Sequence, residues 1–123
     1  MYRSIILAVL LCSNAVAHEM TPTYPKWLPS YIEGVKVTTM KMVNQREDVE
    51  WYEIGVFDDE WKPIPFVTKY KILKLDYLGH VKFDVYITAS NSDKTEYICS
   101  KSKLIGNDDN RPMLESRICS RFK

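Results

Sequence analysis

Two cysteines near the C-terminal end constrain this chain most. Cys99 and Cys119 each sit in a short run, TEYICSKSK and SRICSRFK, and the runs bracket a polar stretch, LIGNDDNRPMLE. Spacing and flanking residue types read as two adjacent strands closed at their base by a disulfide, with a long loop hanging from the hairpin. Alternation supplies the geometry. Ile98 and Cys99 point to opposite faces of one strand; Ile118 and Phe122 share a face of the other, with Arg117, Cys119, Arg121 and Lys123 on its reverse. With the isoleucines toward a core, the cysteines point away from it. The bridge is therefore expected on the outer face, between directly opposed residues of neighbouring strands. In the chain-entropy account, closing a loop of this length contributes roughly 3 kcal/mol.

The start of the chain sets the expected compartment. A short positive opening, MYR, precedes the apolar run SIILAVLLC, and Asn14-Ala15-Val16-Ala17 ends in the small-x-small pattern of a signal-peptidase site. Residues 1–17 are read as a signal peptide and residues 18–123 as one domain, exported to the periplasm or secreted. A retained anchor and a lipid-modified Cys12 are the alternatives. The apolar run is too short for a helix of about 20 residues across a bilayer, so stable membrane insertion is not expected. Without the leader, the two remaining cysteines are the arithmetic of a single disulfide in an exported protein. Two free thiols or a metal site is the alternative reading. The chain has no CxxC and only His18 and His80, so neither a metal nor a cofactor is expected. Removing the leader takes away Arg3 and leaves 16 basic side chains against 16 acidic ones. That balance argues against nucleic acid or an anionic membrane as the partner.

Between leader and hairpin the pattern is all strand and turn. HEMTPTYPKWLPSYIE carries Pro22, Pro25 and Pro29, which suit an irregular edge segment around Thr23-Tyr24-Pro25; Trp27 and Tyr31 are expected to cover one end of the core. In VKVTTMKMV the valines and methionines have opposite parity, so a bulge near Thr38-Thr39 is expected to turn all four inward. Asn44 to Asp48 reads as a polar turn. VEWYEIGVFD is apolar on both faces, the mark of a central strand. After the tight connection DDEWKP come an edge marked by Pro63 and Pro65, a short strand with Leu73 and Leu75 on one face, and a clear alternation. There Val81, Phe83, Val85 and Ile87 face in, and Lys82, Asp84, Tyr86 and Thr88 face out. ASNSDK reads as a loop. Six to seven short strands with turn signals between them and no 3.6-residue periodicity predict an all-β antiparallel sandwich of immunoglobulin-like type.

Parity also gathers Lys101, Arg117, Arg121 and Lys123 into a basic patch, which is either a solvated strand face or a site for a carboxylate or other anion. No phosphate loop, HExxH or Ser/His/Asp arrangement is visible, and bridged cysteines exclude thiol nucleophile chemistry. The carboxylates of 47–50 and 58–60 fall in turns. The chain is expected not to be an enzyme.

With the hairpin described, the chain resembles the N-terminal immunoglobulin-like domain of periplasmic pilus-assembly chaperones, in particular the subgroup with a long loop and a disulfide between the last two strands. Thr23-Tyr24-Pro25, Phe66-Val67-Thr68 followed by Leu73-x-Leu75, Ile98-Cys99-Ser100-Lys101-Ser102 and Cys119-Ser120-Arg121 carry the likeness. It implies a protein or peptide partner held by β-strand addition along the last strand, with Ile118 and Phe122 as donor side chains and Arg121 in a carboxylate grip. The sequence departs from the family where a second arginine would fall, near Thr21, and where Lys69-Tyr70 replaces two prolines. A one-domain relative using the fold for another contact fits better than a two-domain chaperone. The expected partner-binding residues are Lys101, Arg117, Ile118, Arg121, Phe122 and Lys123. A second reading is a small secreted structural or inhibitory protein that binds through its aromatic N-terminal arm, Tyr24 to Tyr31. Open edge strands also allow a weak homodimer.

Overall fold

A computed structural model describes residues 18–103 and 115–122. Residues 1–17, where a signal peptide is expected, residues 104–114, where the long loop is expected, and Lys123 lie outside the described residues. Among the described residues, eight strands and one helical turn follow in order: β1 (Glu19–Thr21), β2 (Leu28–Pro29), β3 (Val35–Val43), β4 (Trp51–Phe57), β5 (Ile72–Lys74), β6 (His80–Thr88), α1 (Ala89–Ser92), β7 (Tyr97–Lys103) and β8 (Arg117–Arg121). One sheet pairs β3 with β6 along its whole length and with β1 and β2 at the two ends of its other edge. β1 and β2 are thus halves of one edge strand, interrupted by the proline-bearing stretch 22–27. The second sheet runs β5-β4-β7-β8, and every pairing is antiparallel. The chain passes between sheets from β3 to β4, from β5 to β6 and from β6 to β7, the Greek-key path of an immunoglobulin-like sandwich.

The inner faces follow the alternation. Thr38, Met40 and Met42 of β3 and Phe83, Val85 and Ile87 of β6 meet Tyr52, Ile54 and Val56 of β4 and Ile98 of β7. β4 lies between β5 and β7, as an apolar pattern on both faces requires. Trp27 closes one end of the core by stacking on Phe122, with ring centroids 4.6 Å apart.

Three expectations are corrected. No bulge interrupts β3: its register to β6 is continuous from Val35↔Thr88 to Val43↔His80, so Val35 and Val37 face outward. Leu28 and Tyr86 flank Val37 as cross-strand neighbours and leave it only half-exposed, which satisfies an apolar residue without a bulge. Tyr31 does not cover the core but stands fully exposed. Residues 89–92 form a helical turn rather than a loop, capped by the Thr88 hydroxyl accepting from the Asn91 N–H.

Candidate functional site

The disulfide sits where strand parity puts it. Cys99 and Cys119 are directly opposed in the β7–β8 ladder, with Cα atoms 4.0 Å apart. On the other side of Cys99 lies Gly55 of β4, so the rung Gly55–Cys99–Cys119 crosses the outer face of the second sheet. The short separation marks a non-hydrogen-bonded pair. Consistently, the Arg121 N–H, of the same parity, turns away from β7 and donates to the Thr23 carbonyl at 3.0 Å.

Aromatic groups roof this rung. The ring of Phe57 folds back over Gly55, where an added Cβ would come within 2.8 Å of it. Trp61 stacks on Tyr97 with centroids 4.1 Å apart and planes 4° from parallel. The Arg117 guanidinium lies 4.8 Å from the Trp61 centroid. Tyr97 and Arg117 occupy rungs on either side of the cysteines, one on each strand, so the indole spans the bridge. That roof explains why Cys99, on an outer face, is only 1% exposed.

Local chemistry delivers Trp61. The Asp58 carboxylate accepts the N–H groups of Glu60 and Lys62, both at 2.9 Å, and the Asp58 carbonyl accepts the Trp61 N–H. The turn holds Trp61 at φ 62°, a left-handed conformation that costs about 1 kcal/mol outside glycine. Those bonds and the two-sided stacking offset it. The Asp58 carboxylate is thereby committed to the turn.

The expected basic patch is brought together but largely neutralised. Lys101 Nζ lies 3.3 Å from Glu115, and Arg121 Nε donates to Glu96 at 2.7 Å, which raises the Arg121 pKa further. Arg117 is spent on the aromatic stack. Ile118 and Phe122 face the core side, Ile118 half-buried and Phe122 9% exposed. Lys123 lies outside the described residues.

A second polar cluster, not anticipated from sequence, lies between the sheets. His18 is 2% exposed; its Nε2 is 2.7 Å from the Ser100 hydroxyl and its Nδ1 3.2 Å from the Ser116 hydroxyl. Its ring packs against Tyr52, centroids 4.5 Å apart. Burial, the largest influence, lowers the His18 pKa against the raising effect of its hydrogen bond to the Ser100 carbonyl, and nearby Arg46 adds to the lowering. Ser100 is fully buried, so the pair ties the N-terminal segment to β7 and has no open side for a substrate. Sequence gave no signal for it, because 82 residues separate the partners. Among the described residues no group of three or more metal-ligating side chains is present.

No protein-family model matches this chain, and no curated protein or solved structure shows significant similarity to it. Among the described residues no helix is long and apolar enough to cross a membrane.

Proposed function

We propose that this chain is an exported, non-enzymatic immunoglobulin-like binding module that contacts a protein partner through its last strand, the loop leading into it and the outer face they share. The observation that carries this reading is the Arg117–Trp61–Tyr97 stack, held rigid over a disulfide and presenting Trp61 at 43% exposure. Tryptophan, tyrosine and arginine on a stiff support are the residues that dominate binding energy at protein interfaces. The likeness to the pilus-chaperone domain rests on its sequence segments; the disulfide of the last hairpin and the bond from the Arg121 N–H to the Thr23 carbonyl, two residues past β1, are compatible with it. A carboxylate grip by Arg121 would require displacing Glu96 from it.

The test is capture of partners from an extract of the exporting compartment with the mature chain, repeated with Arg117→Glu and Trp61→Ala. A partner held by the parent and released by both variants supports the reading; one indifferent to both rejects this surface. The reading of a secreted structural or inhibitory protein has its own support in the tip formed by Leu28, Tyr31 and Ile32, exposed at 60%, 107% and 62%. A partner lost only with Tyr31→Ser and Ile32→Asp selects that tip.

A further inference from the structure

Among the described residues, β6 pairs with another strand along one edge only. Its other edge carries the outward backbone groups of Tyr86, Asp84 and Lys82, since a continuous ladder gives residues of one parity the same orientation. Tyr86 exchanges two hydrogen bonds with Val67, at 2.8 and 2.9 Å, and the Asp84 carbonyl accepts the Thr68 hydroxyl at 2.8 Å. There the covering segment leaves. The Lys71 carbonyl already accepts the Ile54 N–H of the opposite sheet, and β5 pairs with β4. Among the described residues nothing pairs with the Lys82 N–H and carbonyl or with the Asp84 N–H. In an immunoglobulin-like sandwich this place belongs to a fourth strand of the first sheet. Here that strand is reduced to a single bridge at Val67.

The vacated place is a cleft of about 570 Å³. Its floor is apolar, made by Leu73, Val81 and Phe83, and Lys69 and Lys82 stand on its rim. Among the described residues neither lysine has a carboxylate partner, and β3 places Lys41 directly opposite Lys82. The Asp84 carboxylate is engaged by the Thr39 hydroxyl.

We infer that the β6 edge is a second binding site, which takes an extended segment of another protein as an added strand. The segment's main chain pairs with Lys82 and Asp84, alternate apolar side chains enter the cleft, and the intervening acidic side chains meet Lys82, Lys41 and Lys69. This edge lies on the opposite side of the sandwich from β8, so the site does not depend on the reading of the last hairpin.

The test uses the full chain and a labelled hexapeptide of alternating glutamate and valine, blocked at both ends, with binding read by fluorescence anisotropy. The parent is expected to bind it and to ignore the lysine–valine counterpart. N-methylation of alternate peptide amides, on the edge that faces β6, is expected to abolish binding. Lys82→Glu and, separately, Lys69→Glu should each weaken it by about tenfold, the scale of one charge-assisted contact. Both positions are exposed, so the variants are expected to keep the fold, checked by their thermal unfolding. Three outcomes overturn the inference: no binding of the acidic peptide, equal binding of its N-methylated form, or affinity unchanged in both variants. Self-association of the parent that Lys82→Glu dissolves would also overturn it, in favour of a second copy at this edge.

Discussion

The side chain of Asn44 is fully buried, and each of its polar groups has a partner. Its amide donates to the carbonyls of Val49 at 2.7 Å and Leu75 at 2.8 Å, while Oδ1 accepts the Arg46 N–H and the Tyr52 hydroxyl. Burial pushes the Tyr52 phenol up to about 12, so it remains a donor at every physiological pH. Asn44→Ala strands two carbonyls and a hydroxyl; at about 1–3 kcal/mol for each unsatisfied group, a loss of roughly 3 kcal/mol or more is expected in denaturant titrations. A loss under 1 kcal/mol would mean that water replaces the amide. In the sequence Asn44 reads as one polar residue of a turn, because nothing local announces that two loops converge on it. His18 makes the second residue-scale prediction. Its folded pKa is lowered, so the unfolded chain binds the proton more readily. Its contribution to stability is complete above the ordinary imidazole value of 6.5 and is lost as pH falls from there through the folded value. The groups around it are Ser100, Ser116, Tyr52 and Arg46, and none supplies a negative charge to offset protonation. Unfolding free energies at pH 7.5 and 5.5 should fall with a limiting slope of about 1.4 kcal/mol per unit. His18→Gln should flatten that slope; an unchanged slope would show that His18 does not carry it, and Asp48 is no rival source, because Arg46 holds it below the usual carboxylate range and its contribution is lost only at lower pH.

At the scale of elements, the β7–β8 hairpin was the most legible part of the chain. Strict two-residue alternation put Ile98 and Cys99 on opposite faces, and both the pairing of the cysteines and their outer-face position follow from it. The same rule misled at β3. Parity alone cannot say whether outward valines are covered, and Leu28, which flanks Val37, comes from a segment whose prolines hide its strand character. The basic patch was legible as a list of cations but not as an ion-paired surface, since Glu96 and Glu115 belong to the hairpin's flanks rather than its strands. Replacing both cysteines by serine should cost roughly 3 kcal/mol, the loop-closure figure for residues 20 apart. A loss below about 1 kcal/mol would mean that the ladder and the aromatic roof already order this hairpin in the unfolded chain. The roof is itself testable. Trp61→Ala should speed reduction of the native bridge by a small thiol, followed by thiol titration, with little change in the midpoint of unfolding. An unaltered rate would show that Phe57 alone shields the sulfurs.

For the molecule as a whole, two segments that change sheets hold the layers together. Residues 63–67 bond first to β4, through the Ile64 N–H and the Val56 carbonyl, and then to β6 through Val67. On the other side, β1 pairs with β3 before Thr23 reaches across to Arg121 of β8. The aromatic N-terminal stretch is therefore part of the fold and not a detachable arm. It buries His18, Met20 and Pro25, and Trp27 stacks on Phe122. Each large apolar side chain returned to water costs about 1.5–3 kcal/mol, and the Ser100 and Ser116 bonds to His18 are lost with them. Against a total stability of about 5–15 kcal/mol, that sum is most of what a domain this size possesses. A chain beginning at residue 28 should therefore fail to give a cooperative unfolding transition, even with its disulfide formed. Trp27→Ala alone should unfold cooperatively at a lower temperature. If the truncated chain melts as sharply as the parent, the sandwich is closed by the 63–67 crossing alone, and the N-terminal segment is free to serve a partner.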